Sequence, residues 1–239
     1  MTDDRTAPGA RAARDTILVV QHQDDAGPGN LGEWLTDSGL RWELVDASVD
    51  TLPEPARLRA LVVLGSREAA YDDDVAWLGP EKDFVRATTA LGTPTFGICF
   101  GAQLLALLLG GTVQKAATIE RGWVPIAPTA AASDVGYAGL VDHTWFEWHG
   151  DEITAPGSAT VLARGSCVQA FHQDGHLGVQ FHPEVTETQL VQWMDSDRRL
   201  ALLSEAGGER ADLLADTAKQ LPGAIVAAHR LYSRFFLGR

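Results

Sequence analysis

Two stretches of this 239-residue chain carry side chains whose types and spacing could do covalent chemistry. The first is PTFGICFGAQ, residues 94–103, in which Cys99 stands between Gly97 and Gly101. An apolar run precedes it and an aliphatic run, LLALLL, follows. A strand entering a helix through G-x-C-x-G is the setting of a nucleophile elbow, in which the reactive side chain occupies a strained turn. A side chain at either flanking position would meet the crossing backbone, so glycine is required there. The helix N-terminus beneath Cys99 favours a thiolate through its unpaired N–H groups. The Phe100 amide would then face an oxyanion formed on an attacked carbonyl. The plainer alternative is a buried structural cysteine, and that is the expectation for Cys167, which lies inside an ordinary strand-like run.

The second stretch is HLGVQFHPEV, residues 176–185. Proline cannot donate to a ladder, so the strand should stop at His182 and leave its imidazole on the carboxyl rim of the sheet. Ligand sites of open α/β sheets gather along that rim, where the elbow would also sit. Glu184 is placed to accept a hydrogen bond from the ring and hold its tautomer, which completes a nucleophile, a base and an orienter. By itself His-Pro-Glu marks only a strand end; the pairing with the Cys99 elbow is what signals a site.

The elements that must position these groups follow an alternating pattern. Strands are expected at 16–22, 42–47, 60–65 and 94–99, and helices at 78–91 and 100–109. Another helix should open at Asn30, as N-cap, and close at Gly39. This alternation predicts an α/β fold, a mostly parallel open sheet flanked by helices. From 112 to 181 the pieces GWVPIAP, TWFEWH, TVLARG, CVQAFH and HLGVQFH have little helical periodicity, which predicts a small mixed or antiparallel β extension. Residues 186–197 read as helix. A helical C-terminal tail, broken near Pro222-Gly223, completes the chain, its apolar positions Ile225, Val226, Leu231, Phe235, Phe236 and Leu237 packing on the domain. The expected organisation is a flexible N-terminus at 1–14, one domain at 15–197, and a packed helical extension at 198–239.

A formal net charge of −13 and the absence of any Lys/Arg run exclude a nucleic-acid-binding surface of the usual basic kind. Two cysteines are too few for a disulfide framework. The first residues have no apolar signal region, and no aliphatic run approaches the length of a membrane span, so a cytoplasmic protein away from membranes is expected.

The combination GICFGAQ, Gly110-Gly111, WHGD at 148–151 and FHPE at 181–184 resembles the class I glutamine amidotransferases, and among them the glutaminase domain of GMP synthase and its stand-alone relatives. The resemblance covers roughly residues 16–197. It implies a Cys99–His182–Glu184 triad that attacks the amide of glutamine, passes through a γ-glutamyl thioester and releases ammonia. It implies that Gln103 holds the α-amino-acid end of the substrate and that the backbone at His149 and Gly150 lines its pocket. The family's second oxyanion donor lies in a loop of two glycines and a proline. Here Gly65 is followed by Ser66 and Arg67, with the Ser66 amide as the donor in question.

What the chemistry would serve stays open at this point. The chain shows no ATP-pyrophosphatase or P-loop stretch, so ammonia would pass to a separate synthetase partner. The same triad would serve a stand-alone hydrolase of γ-glutamyl peptides or γ-glutamyl amines. A non-catalytic binding module is the third reading, and an α/β-hydrolase would place its acid and histidine farther apart. No cofactor and no metal are expected, and a homodimer is possible. His22, His143, His172, His176 and His229 show no motif, and Asp72, Asp73 and Asp74 read as a solvated loop.

Overall fold

The computed structural model describes residues 15–55, 58–195 and 210–239. The expected flexible segment 1–14, the end of the helix expected at 186–197 and the boundary at 197/198 lie outside the described residues.

The apolar runs form β1 (Ile17–Gln21), β2 (Trp42–Asp46), β3 (Ala60–Val63) and β4 (Thr95–Ile98). β3 and β4 are buried throughout, as continuous apolar runs in a covered parallel sheet must be. Side chains alternate across β1. Ile17 and Val19 face helix α1 (Gly29–Asp37) and the C-terminal helix, whereas Leu18 and Val20 face α2 (Leu78–Ala90) and α3 (Phe100–Leu108).

Beyond α3 come β5 (Thr112–Pro128), the short helices α4 (Ala130–Asp134) and α5 (Ala138–Val141), and then β6 (His143–Thr154), β7 (Thr160–Arg164), β8 (Val168–Gln173) and β9 (His176–Val179). Helices α6 (Glu187–Asp195) and α7 (Arg210–Tyr232) follow, and a π-helical turn, Ser233–Leu237, ends the fold. The sheet has nine strands in the order β2-β1-β3-β4-β9-β8-β7-β5-β6. Its β2-β1-β3-β4-β9 half is parallel, and every pairing from β9 to β6 is antiparallel.

The sheet is therefore mixed rather than mostly parallel. The expectation failed because the first part of β5 is largely exposed and only weakly apolar on one face. Its alternation is faint, yet it pairs with β6 over most of its length.

Two other local expectations are corrected. Helix α1 starts at Gly29 behind Pro28, so Asn30 lies inside its first turn and is buried. Helix α7 runs unbroken through Pro222. The proline ring is exposed, so the Ala218 carbonyl it leaves unpaired lies on the water side. Leu221, Ala224, Ala228, Leu231 and Tyr232 meanwhile hold the opposite face against the core. Phe236 joins the same core, whereas Val226 is half exposed.

Candidate active site

The elbow is built as its glycines require. Cys99 follows β4 directly and has φ +52° and ψ −107°, a rare backbone state for a residue with a side chain. A Cβ on Gly97 would enter the Gly101 backbone, and one on Gly101 would enter the Val63 carbonyl. The turn is pinned by Cys99 N–H donating to Val179 O at 2.8 Å and Gln103 N–H donating to Cys99 O at 3.0 Å. Phe100 is the first residue of α3, so its N–H has no partner within the helix.

His182 arrives from the other side. β9 ends at Val179, three residues earlier than expected, and the His182 amide instead donates to Phe146 O of β6 at 2.8 Å. Its Nδ1 meets Glu184 Oε1 at 2.8 Å, and Cys99 lines the same cleft as this ring. All three residues are buried. Burial alone would push His182 toward neutrality, but the Glu184 carboxylate and Cys99 outweigh it and hold the pKa well above the ordinary imidazole value. A thiolate beside an imidazolium that is itself held by a carboxylate can attack an acyl carbon, and the imidazolium can then protonate the leaving group.

The turn carrying Glu184 is gripped by α1. Asn30 donates from its backbone to Glu184 O at 2.9 Å and from Nδ2 to Pro183 O at 2.8 Å and Val185 O at 3.0 Å. Its Oδ1 accepts from the buried Tyr232 hydroxyl of α7 at 3.2 Å. Gly29 completes the clamp, since a Cβ there would strike the Glu184 carbonyl.

Gly65 and Ser66 border Cys99 and His182. A Cβ on Gly65 would sit 3.2 Å from His182 Cε1 and 3.8 Å from Cys99 Cβ. Gly65 and Ser66 line a cleft of about 30 Å³ together with Cys99, His182, Trp148 and Trp193. That space suits a water molecule and not an amino acid. Gln103 is buried behind the cleft and donates to Gln180 Oε1 at 3.3 Å. Gly150 is outside the cleft wall, and a Cβ there would face Ile119 at 3.7 Å.

His149 does not line the cleft, and its side chain joins a polar cluster instead. Its Nδ1 meets Asp151 O at 2.8 Å, and its Nε2 lies 3.0 Å from Glu120 Oε2 and 3.3 Å from Glu147 Oε2. Burial opposes charge on this ring, but hydrogen bonds to the two carboxylates raise its pKa to about 10. The hydrogen bond from His149 holds Glu120 at about 2, against burial. Burial pushes the Cys167 thiol, 3.7 Å from Glu120, up to about 12. Cys167 therefore borders a polar cluster instead of the expected apolar core. Glu120, His149 and Cys167 bring three metal-ligand atoms within 4.8 Å of one another. Their hydrogen bonds already bind them together, and the raised thiol pKa disfavours the thiolate a metal would need.

Sequence reasoning missed this cluster and the His22–Glu81 pair under the elbow. Strand alternation was the available signal for the first, because Glu147 and His149 share a face with Trp145. His22 directly follows β1 on the same carboxyl rim that singled out His182. Asp73 is exposed and pairs with Lys82 at 3.0 Å, in keeping with a solvated loop.

The fold and site together define an α/β protein with a cysteine elbow and a carboxylate-held histidine brought to one place. The family described as glutamine amidotransferase class-I matches residues 39–195, and the chain belongs to it. A GMP synthase (glutamine-hydrolyzing) of Mycolicibacterium paratuberculosis is 38% identical over 135 residues, 54% of this chain and 24% of that protein. The Streptomyces avermitilis GMP synthase is 32% identical over 188 residues, 75% of this chain and 34% of the relative. The chain thus spans about a quarter to a third of the length of these curated relatives. The crystal structure of a glutamine amido transferase from Methylobacillus flagellatus superposes with TM-score 0.83 at 25% identity, covering 94% of this chain and 95% of that one. A glutamine amidotransferase structure from Thermotoga maritima shares the fold with TM-score 0.83 at 22% identity, covering 93% and 98%. Among the described residues, no helix is long and apolar enough to cross a membrane.

Proposed function

We propose that this chain hydrolyses the γ-amide of glutamine through a Cys99 thioester and hands the ammonia to a separate synthetase. The observation that carries the reading is Cys99 at positive φ in one cleft with His182, whose Nδ1 meets Glu184 at 2.8 Å. The Cys99 sulfur adds to the γ-carbonyl carbon, and the oxyanion takes hydrogen bonds from the Phe100 and Ser66 amides. His182 gives its proton to the departing nitrogen, ammonia leaves, and the γ-glutamyl thioester remains. Water then gives a proton to His182 as it attacks the thioester carbonyl, releasing glutamate and the Cys99 thiolate. Glu184 keeps the imidazole in the tautomer that both steps need. Substrate entry requires the cleft to widen beyond its 30 Å³ at Trp148 and Trp193.

The test is ammonia release from glutamine by the purified chain, with amine release from γ-glutamyl peptides and γ-glutamyl amines measured in parallel. Glutamine turnover that Cys99→Ala abolishes is the expected result. Turnover confined to γ-glutamyl peptides or amines would keep the thioester chemistry and remove the amidotransferase role. Inactivity on every substrate, with Cys99 resistant to alkylation, would overturn the reading.

A further inference from the structure

The loop that departs from the glycine-glycine-proline pattern is held residue by residue from the end of β1. His22 Nδ1 meets Gly65 O at 3.0 Å, Gln23 Nε2 donates to Ser66 Oγ at 3.0 Å, and Arg67 pairs with Asp25 at 2.6 Å. Ser66 Oγ also accepts from Glu68 N–H at 3.2 Å, which closes the loop on itself. Ser66 and Arg67 thus add side-chain anchors that glycine and proline lack.

The first contact bears directly on chemistry. A carbonyl oxygen has no proton to give, so His22 Nδ1 must be the donor. Its Nε2 lies 2.9 Å from Glu81 Oε1, and both side chains are fully buried. Whichever of Nε2 and Glu81 holds the proton between them, Nδ1 keeps its own. The ring is stacked on Trp77 at 4.9 Å and meets the Phe100 ring edge-on at 4.8 Å. It therefore has one orientation, and it braces the residue that supplies the other oxyanion donor.

In a trans peptide the carbonyl and the N–H point in opposite directions, and the described residues contain no cis peptide. Fixing the Gly65 carbonyl on His22 therefore fixes the Ser66 N–H away from His22. Gly65 lies between His22 and the Cys99–His182 pair. Turning the peptide over would point a carbonyl lone pair at the developing oxyanion and leave the buried His22 N–H unpaired, a cost on both sides. We infer that His22, backed by Glu81, is a positioning residue that sets the Gly65–Ser66 peptide so that the Ser66 amide faces Cys99. The inference rests on the thioester reading above.

Two variants separate this role from plain packing. Asparagine places its amide nitrogen where His Nδ1 lies, and glutamine places its own near Nε2. His22→Asn keeps the donor to Gly65 and loses Glu81, whereas His22→Gln keeps the Glu81 partner and loses Gly65. The expected result is a kcat fall of about 100-fold for His22→Gln, the scale of one lost oxyanion donor, and less than about tenfold for His22→Asn. KM and the rate of Cys99 alkylation by iodoacetamide should stay near wild type in both, because displacement at an alkyl carbon forms no oxyanion. Equal losses in the two variants, or a greater loss in His22→Asn, would overturn the inference. A wild-type chain without turnover sinks the thioester reading instead. The positioning role is then read from crystal structures: the Gly65 carbonyl should turn toward Cys99 in His22→Gln only, and an unturned peptide in that variant overturns it.

Discussion

Cys99 holds a backbone conformation that costs on the order of 1–3 kcal/mol for a residue with a side chain. Glycine at 97 and 101, with the helix that starts at Phe100, keeps the chain there. What the strained position gains is access: the sulfur meets His182 at the mouth of α3 instead of pointing into the sheet. Glu184 supplies the charge that keeps His182 protonated. Because the His182 pKa is raised, the imidazolium form exists below that value and is lost as pH rises through it. The alkaline limb of kcat/KM should accordingly lie well above the ordinary imidazole range. Glu184→Gln removes the carboxylate, so this limb should move to lower pH, with kcat falling by about 10²–10⁴-fold as in other triads that lose the orienting charge. A pH profile of both enzymes decides the matter. An unmoved limb would show that Glu184 does not set the charge of His182.

Among the elements, α1 and α7 act together on the turn at 183–185. Asn30 satisfies three successive carbonyls there, and Tyr232 holds the Asn30 amide in its orientation. Asn30→Ala strips the donors from two buried carbonyls, at about 1–3 kcal/mol for each left unsatisfied. Tyr232→Phe removes a single hydrogen bond worth about 1 kcal/mol. Urea unfolding should rank the two in that order, and Asn30→Ala should also lower kcat by loosening Glu184. A ranking in which Tyr232→Phe is the more harmful would contradict the clamp. This arrangement was beyond sequence reading, because Asn30 before LGEWL has every mark of a helix cap. Its actual partners are the carbonyls of residues 183 and 185, more than a hundred residues along the chain. The elbow and His-x-Glu were legible because their geometry is local, set by a turn or by neighbours two residues apart. His22, Glu81 and Glu120 were not, since each gains its meaning from a partner on another element.

Across the whole molecule, the site lies where the two halves of the sheet meet. The elbow belongs to the parallel half, while His182 is tied by its amide to β6 of the antiparallel half. Phe181 beside it stacks on Trp145 of β6, with ring centroids 4.6 Å apart. The cluster around His149 binds that second half internally. Glu120 stands opposite His149 in the β5–β6 register, and Gln169 of β8 donates to the same Glu120 oxygen at 2.6 Å. The joint should therefore be as firm as this ion pair, and the pair has a definite pH signature. His149 has its pKa raised from 6.5 to about 10, so its contribution to stability is full below pH 6.5 and fades as pH climbs through 10. Glu120 is lowered from 4.5 to about 2, so its share is full above pH 4.5 and disappears as pH falls through 2. Both terms are complete only between pH 4.5 and 6.5. His149→Gln should destabilise the fold by on the order of 3 kcal/mol inside that window. It takes the charged partner from the largely buried Glu120 and leaves it only neutral donors such as Gln169. Urea unfolding of the two proteins from pH 5 to pH 10 should show the gap closing steadily above pH 6.5. A gap that stays constant over that range would mean that packing, and not charge, makes His149 important to the joint.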